Sequence, residues 1–172
     1  MDLAHIHLIL NHIPVIGLVI GFFVLAWGML RKYDDVRNVG LVTLFVTSLV
    51  AIPVYLTGEP AEDIVENLPG VSEQVVGLHE DAAMYSLVLC IVVGVLALLA
   101  LAARRFMSDA IAMIATFAVL VLTLLAGASI AYTANLGGQV RHTEIRQSQS
   151  GTTNTGPQAT EKKKEKDDDD DH

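Results

Sequence analysis

Four apolar runs of about 20 residues constrain this chain more than anything else in it, because that is the length needed to cross roughly 30 Å of hydrocarbon. They cover residues 8–30, 39–56, 82–103 and 110–134. A soluble domain of 172 residues rarely carries four such stretches. The expected fold is therefore an all-α integral membrane protein, an up-down four-helix transmembrane bundle over residues 1–146. The first run lacks the basic start and small-residue cleavage site of a signal peptide, ending in Trp27-Gly28-Met29-Leu30-Arg31, and is read as a retained span. The single cysteine, Cys90, falls mid-span in the third run and reads as packing.

The charges orient this bundle. Arg31, Lys32 and Arg37 lie between spans one and two, and Arg104 and Arg105 between spans three and four. Short loops rich in Lys and Arg stay in the cytoplasm. The segment 57–81 instead carries Glu59, Glu62, Asp63, Glu66, Glu73, Glu80 and Asp81 without a Lys or Arg. The expected location is a bacterial inner membrane, with this loop and both termini in the periplasm.

The outer loop has its own signals. Pro60 can open a short helix at its first position, Ile64, Val65 and Leu68 give it an apolar side, and Pro69-Gly70 end it. Ser72 then caps a helix that should run unbroken into span three. Span four is expected to end at Gly137-Gly138, where two glycines permit a turn. Residues 147–172 have a polar, then Lys-Glu-Asp composition without apolar periodicity, as in a disordered tail. No internal repeat is evident.

Five of the six histidines (His5, His7, His12, His79 and His142) map to the outer end. At ~1.5 Å per residue, His7 stands ~36 Å above Arg31 and His79 ~37 Å above Arg104, whereas His12 is only ~28 Å above Arg31. His7 and His79 thus share a level, on helices that an up-down bundle places diagonally across its core. Pro14 removes the hydrogen bond to the carbonyl of Leu10 and can kink span one there. Plainer readings exist: an interfacial anchor for His5, a structural hydrogen bond for His12 beside Asn11, a polar first turn for His79, an ordinary loop residue for His142. Convergence favours a site, because ionisable groups at membrane depth are expensive without a role or partner. His172 reads as a solvated terminus.

Zinc would want four tightly spaced ligands, and no Cys-x-x-Cys or His-Glu-x-x-His is present. Copper(I) favours sulfur ligands, and only Met84 falls near this level. Heme asks for axial imidazoles, apolar walls and basic groups for its propionates. His7, His12, His79 and His142 are the candidate ligands for heme or metal, with Arg141 and Arg146 beside His142. Asn11, Glu80 and Glu144 are candidate supporting groups, the two glutamates orienting imidazoles through their second nitrogens. Gly17 and Gly21 form a Gly-x-x-x-Gly that suits either close helix packing or clearance for a porphyrin face.

The string His5-Ile6-His7-Leu8-Ile9-Leu10-Asn11-His12-Ile13-Pro14, the pair His79-Glu80 and the run Gly137-Gly138-Gln139-Val140-Arg141-His142-Thr143-Glu144-Ile145 resemble an uncharacterised bacterial family of four-span membrane proteins. The resemblance covers residues 1 to about 146 and implies the fold without a settled activity. The architecture is also similar to that of four-helix membrane b-type cytochromes.

The sequence thus points to a membrane electron-transfer subunit binding one or two b-type hemes, working with other membrane or periplasmic redox subunits such as a cytochrome. The alternatives are a non-catalytic accessory subunit of a larger respiratory or photosynthetic complex, and a protein handling copper or another transition metal. Nothing indicates nucleic-acid binding. No nucleophile triad, phosphate-binding loop or membrane-protease motif suggests catalysis.

Overall fold

In a computed structural model, residues 3–141 are described, and the tail 147–172 lies outside them. Lipid offers the backbone no hydrogen-bond partners, so a spanning segment satisfies its own as a helix. The order is α1 (Leu3–Leu10), α2 (His12–Arg31), α3 (Asp34–Leu56), α4 (Gly58–Val65), α5 (Glu73–Phe106) and α6 (Asp109–Arg141). Four helical stretches, Leu3–Arg31, Asp34–Val65, Glu73–Phe106 and Asp109–Val140, are each long and apolar enough to cross a membrane. α2 packs on α3 and α6, and α5 packs on α3 and α6, so α2 and α5 are the diagonal pair.

Polarity runs as a membrane bundle requires. The interior is built from Leu18, Leu25, Leu41, Leu44, Cys90, Val93, Ala97, Ala100, Val119 and Ala126, many of them small. Large side chains such as Phe23, Trp27, Leu99, Ile114, Phe117 and Leu125 are exposed on the outside. Such an exterior is compatible with lipid tails around a helical bundle. Glycines set the approach of α2 to α3. A Cβ on Gly17 or Gly21 would collide with Thr47 or Leu44, and one on Gly40 would stand 2.7 Å from the main-chain nitrogen of Leu25. The Gly17–Gly21 pair is therefore a helix-packing surface against α3 and offers no porphyrin clearance.

The expectations at Pro60, Ser72 and Gly137-Gly138 change, whereas an irregularity near Pro14 is present as expected. The first span breaks at Asn11, which separates α1 from α2. Pro14 cannot donate to Leu10, so one hydrogen bond is lost there, although Asn11 keeps a helical backbone and its N–H donates to His7 O at 2.9 Å. α4 begins at Gly58, so Pro60 is its third residue, still within the first turn, where no N–H is needed. α6 passes straight through Gly137 and Gly138 to Arg141. The glycines there serve a neighbour's side chain, as shown below. Ser72 does precede α5, in extended conformation, but its side chain makes no capping hydrogen bond.

The short connections make neighbouring spans antiparallel. After α2, Lys32 adopts a left-handed conformation (φ 59°). Its N–H donates to Met29 O (3.3 Å) and that of Tyr33 to Gly28 O (3.0 Å), closing the helix with a Schellman pair. The arginines gather at this end. The Arg37 side chain is buried, with Nε donating to Gly28 O at 3.1 Å and Nη1 to Asp34 at 2.9 Å. Arg104 bonds Asp34 at 2.8 Å and Asn38 at 2.7 Å, which ties α5 to α3. Arg31 stacks on Trp27 and Tyr33, the aromatic-and-cation pairing that suits a membrane interface.

Candidate functional site

The end opposite the arginines holds the histidines. The His7 ring, on α1, reaches across to the last turn of α3, where carbonyls run out of intrahelical donors. Its Nδ1 lies 3.0 Å from Val54 O and 3.2 Å from the Thr57 hydroxyl oxygen. The His79 ring, on α5, reaches across to α6, with Nδ1 2.9 Å from Thr133 O. A carbonyl oxygen can only accept, so both Nδ1 atoms carry the proton. In the neutral ring Nε2 then holds the free lone pair. Among the described residues, neither Nε2 has a hydrogen-bond partner. The two rings lie within electrostatic reach of one another.

Both histidines bond a carbonyl four positions before a glycine, but only at Gly137 does the ring need the missing side chain. A helix residue sits directly over the carbonyl four positions earlier, so a side chain there would cover that oxygen. Four residues after Val54 comes Gly58, and four after Thr133 comes Gly137. A Cβ on Gly137 would stand 3.0 Å from Cε1 of His79; one on Gly58 would be in ordinary contact, 3.7 Å from Cε1 of His7. Gly138 has nothing within 4 Å of such a Cβ. Gly137 is thus an opening for an imidazole rather than a chain reversal. The first and second halves of the chain repeat this arrangement at the same end, although no repeat shows in the residues.

Beneath His79 a hydroxyl circuit fastens α5 to α6. Thr133 Oγ1 donates to Ser129 O at 3.0 Å. It must then accept from Ser86, 2.9 Å away, and Ser86 in turn accepts from Ser129 at 2.7 Å. Each proton has a destination, which is how polar side chains are tolerated between membrane helices. The circuit holds Thr133, whose carbonyl holds His79.

The other expected site residues fall differently. His12 is exposed, with Nδ1 2.9 Å from Leu8 O one turn earlier, and it does not join His7 and His79. Asn11 itself occupies the turn and makes no side-chain cap to α2. Glu80 is exposed and orients neither described imidazole; main-chain carbonyls do that work instead. It lies within electrostatic reach of Glu62 on α4, which keeps this end acidic. Arg141 is the last residue of α6, and His142, Glu144 and Arg146 lie outside the described residues.

Among the described residues, no three His, Cys, Asp or Glu side chains come together as a metal ion would need. His7 and His79 are each tied through Nδ1 to a carbonyl from part-buried positions, and His12 is tied likewise from an exposed one. Sequence reasoning missed Val54, Thr57, Thr133 and Gly137. Only the glycine carried a signal, and its position inside a helix was the part that could not be read. No family model, curated protein or solved structure matches this chain.

Proposed function

We propose that this protein is a membrane-embedded electron-transfer subunit that holds a b-type heme with His7 and His79 as its axial ligands. The observation that carries the reading is the shared device: two imidazoles at one end of the bundle, each locked through Nδ1 to a main-chain carbonyl and presenting Nε2. When bound, heme would supply a reversible one-electron couple. Val54, Thr57 and Thr133 fix the tautomer and make each Nε2 a more basic donor, the usual role of a partner behind a ligating histidine. The apolar span walls below keep water from the site.

By the positive-inside rule the arginine end faces the cytoplasm, which puts this site at the periplasmic side of a bacterial inner membrane. Glu59, Glu62, Asp63, Glu66 and Glu80 then make an acidic face that would steer a basic soluble cytochrome toward it.

Absorbance spectra of the purified full-length protein, oxidised and dithionite-reduced, test the proposal. A Soret band with a sharp reduced α-band in the b-heme region is expected. His7→Ala and His79→Ala should each abolish it, and His12→Ala should keep it. A colourless protein loaded with copper or another metal would overturn the proposal in favour of metal handling. A colourless, metal-free protein that always purifies with other membrane subunits would do so in favour of an accessory role.

A further inference from the structure

The arginine end carries an open groove lined by Asn38, Leu101, Arg104 and Arg105, between α3 and α5. Its two arginines are not equivalent. Arg104 is largely buried and already committed to Asp34 and Asn38. Arg105 is exposed, and its guanidinium lies 5.4 Å from the centre of the Phe106 ring. Among the described residues no carboxylate pairs with it. One fixed and one uncommitted guanidinium therefore share a groove whose floor includes an aliphatic side chain.

The surface leading from the groove toward the bundle middle is apolar. On α5, Leu98, Leu101 and Arg105 follow at helical spacings of three and four, so they share one face. On α3, Asn38 and Val42 do the same. Leu98 and Val42 are both about half exposed, at 50% and 47%. A ligand filling this groove would meet cationic and amide donors at one end and a hydrocarbon track at the other. A free anion would use only the first half.

We infer that this groove binds an anionic phospholipid, its phosphodiester on Arg105 and Asn38 beside the anchored Arg104, and one acyl chain along Leu101, Leu98 and Val42. Guanidinium groups match phosphate oxygens in charge and geometry. Arg31, Lys32 and Arg37 at the same end add to the attraction for anionic lipid. The proposal is independent of any cofactor at the histidine end.

Native mass spectrometry of the full-length protein released from nanodiscs of mixed phosphatidylglycerol and phosphatidylcholine tests it. Retained adducts should be phosphatidylglycerol in preference to phosphatidylcholine. Arg105→Gln should reduce that preference about fivefold, the worth of one basic residue at an anionic surface. Arg31→Gln, at the same end but outside the groove, should leave most of it. Leu98→Asn should weaken retention while keeping every charge, which a purely electrostatic surface would not show. Equal retention of both lipids, or equal effects of Arg105→Gln and Arg31→Gln, would overturn the proposal. So would inorganic phosphate matching phosphatidylglycerol in raising the melting temperature, since the site would then be for a free anion. Circular dichroism confirms that each variant is folded before it is counted.

Discussion

The two ends of the bundle treat their nitrogen-bearing side chains in opposite ways. At the arginine end Arg37 and Arg104 have side chains only 7% and 14% exposed, and both are spent on Gly28, Asp34 and Asn38. Glycines there bring helix backbones nearly into contact, with Gly28 against Arg37 and Gly40 against Leu25. At the histidine end each central imidazole spends one nitrogen on a carbonyl and keeps the other. The glycine beside His79 makes room for a side chain, not for a backbone. One end closes the bundle, and at the other each of these rings keeps one nitrogen without a hydrogen-bond partner among the described residues. Satisfied polar groups rigidify a membrane bundle, while a directed, half-used imidazole is the form in which a ligand is offered.

The sharpest way to break this comparison is at Gly40. Gly40→Val should cost about 3 kcal/mol or more, because its branched side chain meets the main chain of Leu25, which cannot move aside. Thermal unfolding in detergent micelles measures it, and a cost under ~1 kcal/mol would show that the arginine end is not packed backbone to backbone. Arg37→Met comes next, at about 1.5–3 kcal/mol in the same assay, since it removes charge-assisted bonds to Gly28 O and Asp34.

The histidine end should respond to adjacent glycines with opposite signs. Gly137→Ala should destabilise by about 1 kcal/mol, because its Cβ presses on the His79 ring. Gly138→Ala meets nothing and should stabilise by up to about 1 kcal/mol through helix propensity. Equal effects at the two positions would remove the argument that Gly137 exists for the imidazole. The smallest change expected is Ser86→Ala, about 0.6 kcal/mol, typical of a hydrogen bond between membrane helices. If heme is present, it should also broaden the reduced α-band, because Thr133 and hence His79 are held less firmly.

Much of this molecule can be read from its residues. Runs of Leu, Val, Ile and Ala leave a spanning segment no choice but helix, so the four spans and the long α5 follow directly. Pro14 announces a break near Leu10. Depth along a helix is simple arithmetic, and it places His7 and His79 toward the end opposite the arginines. Azimuth is not. His12 and Glu80 are exposed and Asn11 makes no side-chain cap, outcomes set by how each helix is rotated against its neighbours. The partners of the imidazoles were invisible for a different reason: they are main-chain carbonyls, and a carbonyl has no letter in the sequence.

The sequence by itself determined the helices, their lengths and the polar ends, because hydrophobic length and rise per residue are local quantities. Tertiary structure alone decided which glycines bring backbones together and which one admits a ring, and that the His7 and His79 rings lie part-buried against other helices while His12 stays exposed. Those outcomes depend on how helices from distant parts of the chain are rotated against each other, which packing sets and local composition does not.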